Sequence, residues 1–259
     1  MRSSPILTLV SLSFAAGCAS IRGTEPSTVS TAQTVATAYW FRGSPRSLEP
    51  VTQGDLSVNT PLALGGTLSF TTWYNLQLTN RTGDALFPDG QGGEATEIDL
   101  VVNYSQRLGP VAVSVGGIGY HFPEIGSSTK EAYLGGTIQA LGLSHGLTAY
   151  YDLDLLDDFY LLYQTSRGFV LDEHWSAALA LFLGYMSADQ SALYFGTDDP
   201  GLSDLLLTGS LTYRFDDNTS LFVKGAGVTV PDDELSDSLD AAGIEDSGLW
   251  LSIGAAWGL

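Results

Sequence analysis

The chain has 259 residues and is 44% hydrophobic, yet it carries a formal net charge of −19, with 10 Lys and Arg against 29 Asp and Glu. So large an acidic excess excludes nucleic acid as a partner, because the two would repel. The single cysteine, Cys18, excludes internal disulfides and thiolate metal clusters.

In chain order, Arg2 precedes an apolar stretch from Ile6 to Phe14 and the small residues Ala15, Ala16 and Gly17. This is the pattern of a secretory signal peptide over residues 1–18. Ala15-Ala16-Gly17-Cys18 resembles a bacterial lipobox, in which Cys18 would be lipidated and become the first mature residue; cleavage after Ala19, discarding Cys18, is the other reading. Residues 19–33 are rich in Ser, Thr and Ala without hydrophobic periodicity, and read as a flexible tether. No later apolar run reaches the roughly 18 to 20 residues that a helical membrane span requires.

From residue 34 to 259 the chain reads as repeated β-type segments. Twelve are predicted: Thr34 to Phe41, Val51 to Thr60, Thr67 to Leu78, Ala95 to Arg107, Val111 to His121, Glu131 to Ala140, Leu147 to Leu153, Phe159 to Phe169, Trp175 to Tyr185, Asp204 to Phe215, Ser220 to Val230 and Leu249 to Leu259. None holds a 3.6-residue apolar period over three turns, so no helix is expected beyond the signal peptide. The connections alternate: odd ones, such as 79–94, 122–130, 186–203 and 231–248, are mostly long and acidic. Even ones are mostly tight turns, such as Leu108-Gly109-Pro110. A membrane barrel with short periplasmic turns and long external loops has this asymmetry, together with an even strand number.

The strand faces point the same way. In the fourth segment Ile98, Leu100, Val102 and Tyr104 alternate with Glu97, Asp99, Asn103 and Arg107, so one face suits lipid and the other water. Tyr39, Phe41, Tyr74, Tyr104, Tyr120, Phe122, Tyr133, Tyr185, Tyr213 and Phe215 fall mostly near segment ends, where aromatic girdles are expected. In the last segment Leu249, Leu251, Ile253, Ala255, Trp257 and Leu259 share one face, and the segment should pair with the first to close the barrel. Ser252, Gly254, Trp257 and Leu259 also resemble the C-terminal signal that outer-membrane barrels present to the barrel-assembly machinery, here ending in Leu where Phe is usual.

Several local patterns occur in order: Tyr39-Trp40-Phe41-Arg42-Gly43-Ser44, Gln53-Gly54-Asp55-Leu56, Trp73, Glu97-Ile98-Asp99, Gly119-Tyr120-His121-Phe122-Pro123 and Glu131-Ala132-Tyr133-Leu134-Gly135. Together they resemble the TorF family of proteobacterial outer-membrane porins over about residues 37–135. Phe122 stands where that family commonly has Tyr, and a lipobox is not usual in it. The resemblance implies an outer-membrane barrel and leaves the solute open.

The alternation directs Arg42, Gln53, Asp55, Asn75, Glu97, Asp99, Arg107, Glu131, Asp152, Arg214 and Lys224 inward as candidate lumen residues. Glu97, Asp99 and Glu131 should lie beside Arg42, Arg107, Arg214 and Lys224, as charge-neutralising pairs across a narrow lumen with or without a part in cation passage, or as a solute-binding group. The acids from Asp232 to Asp246 read as a solvated loop, with divalent-cation binding as the alternative; their spacing does not match an EF-hand. His145 follows Ser144 in a predicted turn, and neither it nor His121 or His174 suggests a nucleophile with its base. No cofactor or metal ligand set is expected. The expectation is thus an all-β antiparallel transmembrane barrel of about twelve strands in the bacterial outer membrane, in contact with membrane lipid and acting as a porin-like channel for small solutes or ions. A non-conducting structural or adhesion barrel and a lipid-anchored soluble barrel are the alternatives.

Overall fold

The computed structural model describes residues 25–83 and 87–258, so the signal peptide, Cys18 and Leu259 lie outside the described residues. In chain order the elements are β1 (Thr28–Ala36), β2 (Tyr39–Phe41), β3 (Ser44–Ser47), β4 (Val51–Leu62), β5 (Gly66–Gln77), β6 (Ala95–Leu108), β7 (Val111–Phe122) and β8 (Ser127–Ala140). There follow β9 (Leu143–Asp152), β10 (Phe159–Val170), β11 (Trp175–Met186), α1 (Ala188–Tyr194), β12 (Gly201–Arg214), β13 (Thr219–Thr229), α2 (Asp233–Ala242) and β14 (Ser247–Gly258). β1 and β4 to β14 form a closed antiparallel barrel of twelve strands, while β2 and β3 pair only with each other. The barrel closes where β1 pairs with β14, from Ser30 opposite Gly258 to Ala36 opposite Ser252.

The first strand differs from the sequence-based expectation in a telling way. β1 starts at Thr28, inside the expected tether, and ends at Ala36. Its Ser, Thr, Ala and Gln residues carry little hydrophobic signal, but hydrogen bonding to β4 on one side and β14 on the other makes them wall. Tyr39 to Phe41 leave the wall and enter the interior hairpin instead. Likewise β9 starts at Leu143, which puts Ser144 and His145 in a strand on opposite faces rather than in a turn. The connection expected over 122–130 is only Pro123 to Gly126.

Two helices were not expected. α1 and α2 lie in the connections after β11 and β13, and α2 runs through the acids read as a solvated loop. Asp232 caps α2 by accepting from the Leu235 amide, and Gly243 ends it at φ 72°. At seven and ten residues these helices are too short for a three-turn period to be read, and burial of Leu235 and Leu239 inside the barrel mouth holds α2 in place. Among the described residues, no helix is long and apolar enough to cross a membrane.

The strands cross it instead. Leu56, Phe70, Leu100, Val115, Leu134, Leu147, Leu179, Leu207, Val223, Leu251 and Ile253 form an exposed apolar belt around the outer wall, with Leu100 and Leu251 over 60% exposed. Such a belt costs about 25 cal/mol per Å² in water and nothing in lipid. The outward aromatics divide between the two rims: Phe159 stacks on Tyr185 at the helix-bearing end, while Trp175, Tyr213 and Phe215 pack together at the other. Tyr39, Phe41, Tyr120, Phe122 and Tyr133, expected in the girdles, lie inside the barrel. Their ring and hydroxyl partners there outweigh what a lipid-facing position could supply.

The tight turns fall on the end opposite the helices. Gly109-Pro110 has φ 61° at its glycine, the requirement of a two-residue II′ hairpin. Asp172 and Asp216 close two others, their carboxylates held below the usual range by the amides of Trp175 and His174, and of Asn218 and Thr219, respectively. By the rule that periplasmic turns are short, the helix-bearing end is external.

Candidate functional site

The site is the external half of the interior, organised by the β2–β3 hairpin folded into the barrel. Its turn, Arg42-Gly43, has positive φ at both positions, 51° and 80°, as a type I′ turn requires. Gly43 is needed twice over, since a Cβ there would also stand 2.1 Å from the Ser203 carbonyl oxygen of β12. A left-handed arginine costs about 1 to 2 kcal/mol, which its contacts offset.

Those contacts are dense. Arg42 Nη1 and Nη2 donate to the two carboxylate oxygens of Glu131 on β8, each at 2.7 Å, and the Tyr120 hydroxyl donates to the same carboxylate at 2.9 Å. The pair is buried, its side chains only 6% and 3% exposed. The guanidinium lies 4.2 Å from the Tyr160 ring centre, with Phe41 and Tyr150 also beside it. Tyr160 in turn donates to Asp204, as does Ser203. Alongside, the Tyr39 hydroxyl donates to Glu97 at 2.8 Å and its ring packs on Trp73. Arg46 of β3 reaches the rings of Tyr194 on α1, Phe41 and Phe87. Above this layer Met186, Phe195, Val230, Leu235 and Leu239 form a small apolar core. The hairpin is therefore a plug, pinned by a bidentate ion pair and roofed by two helices.

The predicted lumen residues separate into two groups. Arg42 and Glu131 meet directly, Gln53 donates to Asn75, and Asn75 donates to Thr96. Glu97 is taken by Tyr39, while Asp99 on the same face leaves Oδ1 without a hydrogen bond. Asp152 accepts from Thr129 and from the amides of Asp154, Leu155 and Leu156, so it ties down a loop. Arg107 and Arg214 lie on the inward face near the periplasmic turns, with Asp55 and Lys224 on the same face nearer the middle of their strands. The expected pairing of Arg107, Arg214 and Lys224 with Glu97, Asp99 and Glu131 is not formed. Among the described residues the only Arg or Lys ion pairs are Arg42–Glu131 and the exposed Lys130–Asp154. The reason is axial distance, because the acids sit near the external ends of their strands and those bases at mid-strand or nearer the other ends. A cavity of about 270 Å³ at the periplasmic mouth is lined in part by Asp55, Arg214 and Asn218.

Sequence reasoning missed Tyr39, Arg46, Tyr120, Tyr160, Asp204 and Gln190, whose Oε1 accepts from Arg42 Nη1 at 3.4 Å, as members of the network. The signal for the hairpin was present: Arg42-Gly43 between Tyr39-Trp40-Phe41 and Ser44-Pro45-Arg46 is a two-residue turn between short β-type runs. Glu124, in the turn after β7, has both carboxylate oxygens buried without partners, and burial aided by Glu94 and Glu97 pushes it up to about 7. No group of three or more metal-ligating side chains is assembled among the described residues. His121 and His145 lie on the lipid-facing side of β7 and β9, His145 facing Tyr163 at 2.9 Å.

No family model matches the chain, and no curated protein does. Solved structures do. An outer-membrane channel from Pseudomonas putida F1 superposes with a TM-score of 0.58 at 13% identity, covering 95% of this chain and 100% of that one. The NanC porin superposes with a TM-score of 0.51 at 11% identity, covering 89% and 98%. At such identities the likeness is one of fold. Together with the apolar belt, it makes the protein a twelve-stranded β-barrel of the bacterial outer membrane with porin-like architecture.

Proposed function

We propose that the protein is a narrow porin-like channel for small solutes or ions, with the β2–β3 hairpin as its constriction and the external carboxylates biasing passage toward cations. The observation that carries this reading is the hairpin: a charged, hydrogen-bonded segment seated across an otherwise polar inner wall is what a selective pore needs at its narrowest point. Asp99 faces the same interior, its Oδ1 buried without a hydrogen-bond partner. Arg42, Gln53, Asp55, Asn75, Glu97, Glu131, Asp152, Arg214, Arg107 and Lys224 line or frame the path in this reading. The TorF resemblance gains support from the same network. Arg42-Gly43, Trp73, Glu97, Tyr120 and Glu131, scattered across the motifs, converge on it. In this reading the barrel-assembly machinery engages Ser252, Gly254 and Trp257 of the closing strand together with Leu259, which lies outside the described residues.

A non-conducting barrel is the second reading, favoured by the fully buried Met186, Leu235 and Leu239 above the hairpin. Purified protein in planar bilayers separates the two. Discrete conductance steps with a reversal potential toward that of the cation in a salt gradient support the proposal; a silent bilayer containing heat-modifiable, inserted protein overturns it.

A further inference from the structure

We infer that the outer wall of β9 and β10 carries a binding site for the phosphate of a phospholipid in the periplasmic leaflet, built on Arg167 with His145 and Tyr163 on the same wall. The inference rests on the membrane-barrel reading. In β10 Tyr160 points inward to Asp204, so the alternate residues Tyr163, Thr165, Arg167 and Phe169 face lipid. Across the ladder, Thr165 stands opposite His145 of β9, and Arg167 stands opposite Leu179 of β11, which is part of the exposed belt.

Arg167 is anomalous there. Among the described residues, the only other Arg or Lys on the lipid-facing wall of the barrel strands is Lys130, which lies at the external end and is paired with Asp154. Arg167 makes no ion pair, and its guanidinium lies 5.2 Å from the ring of Phe169, two residues closer to the periplasmic turn. An unpaired charge on a bilayer-facing wall is expensive unless it reaches the headgroup layer, and this one leans toward it. Its Cα stands about 10 Å along the strand from the end of β10, so a side chain of its length reaches phosphate depth. A cation alone would serve only to snorkel, but a polar pair stands on the same wall. His145 and Tyr163 are in hydrogen-bond contact at 2.9 Å. An anionic phosphodiester oxygen supplies the acceptor that the guanidinium lacks, with the imidazole as a further donor. Trp175 and Tyr213 flank the patch at the rim, where acyl chain meets headgroup.

The test uses the full chain in dodecyl maltoside, titrated with a phosphatidylglycerol and read by native mass spectrometry for retained lipid. Arg167→Gln is expected to lower retention about fivefold, the effect of losing one charge-assisted phosphate contact. Arg167→Lys should keep most of it, and Lys130→Gln should leave it unchanged. Undiminished retention in Arg167→Gln overturns the site, and so does competition by inorganic phosphate, which would make the ligand free anion rather than lipid. His145→Gln, expected to weaken retention less, carries the test should Arg167→Gln fail to assemble. Heat-modifiable gel migration reports separately on the barrel, so loss of the fold cannot be mistaken for loss of the site.

Discussion

At its external end the barrel interior is filled, while at its periplasmic end the inner wall is open. The external half spends its charges on one another: Arg42 on Glu131, Tyr39 on Glu97, Tyr160 and Ser203 on Asp204, all beneath an apolar roof. Toward the periplasmic end Arg107 and Arg214, and at mid-strand Lys224, are without ion pairs, and Arg214 lines a cavity. Charges of similar kind thus do different work according to burial. A buried pair fixes structure, because removing one partner strands the other, whereas an unpaired charge beside open volume acts on whatever passes.

Four changes test that contrast. Arg42→Ala leaves Glu131 buried and uncompensated, which should cost about 3 to 5 kcal/mol of hairpin docking. The expected outcome is larger and noisier unitary conductance with a lowered thermal midpoint, and unchanged conductance would show that the hairpin is not the constriction. Gly43→Ala meets both the positive φ and the Ser203 carbonyl, at a cost of about 1 to 3 kcal/mol, and should displace the turn while sparing the ion pair's chemistry. Comparing its conductance with that of Arg42→Ala separates shape from charge.

Glu124 supplies a pH arm. Its carboxyl is raised from the usual value near 4.5 to about 7, so its favourable contribution is present below pH 4.5 and is lost as pH rises through 7. Because Glu124 is only partly buried in its turn, the loss is on the order of 1 kcal/mol after screening. Glu124→Gln should flatten the pH dependence of the melting temperature between those values, and a parallel curve would show that another group dominates. The smallest stability effect is expected from Lys224→Gln, within about 0.5 kcal/mol. Here the reversal potential is the measurement: loss of an unpaired lumen cation should move it further toward the cation, and no movement would remove Lys224 from the ion path.

The wall was legible in the sequence because lipid on one side and water on the other enforce strict alternation. Leu100 and Asp99 announce their faces from composition alone. β1 escaped because its Ser, Thr and Gln residues are weak signals that become strand only through two neighbours. The filling of the barrel was less legible for a related reason. Tyr39, Tyr120 and Tyr160 are the residue types of a girdle, and only the three-dimensional arrival of Glu97, Glu131 and Asp204 assigns them to the interior. Helices as short as α1 carry too few turns for a period, so packing alone decides them.

The seam between β1 and β14 has a kinetic meaning. Ser30 and Gly258 are joined across nearly the whole length of the chain, so the pairing with the highest loop-closure entropy is also the one that eliminates the last free edges. Every other neighbouring pair of wall strands except β1 and β4 is consecutive in the chain and can zip as a hairpin, whereas this one must wait for a search. Until it forms, two unsatisfied edges stay open to strands of other chains. A catalyst of assembly would therefore gain most by gripping that one ladder.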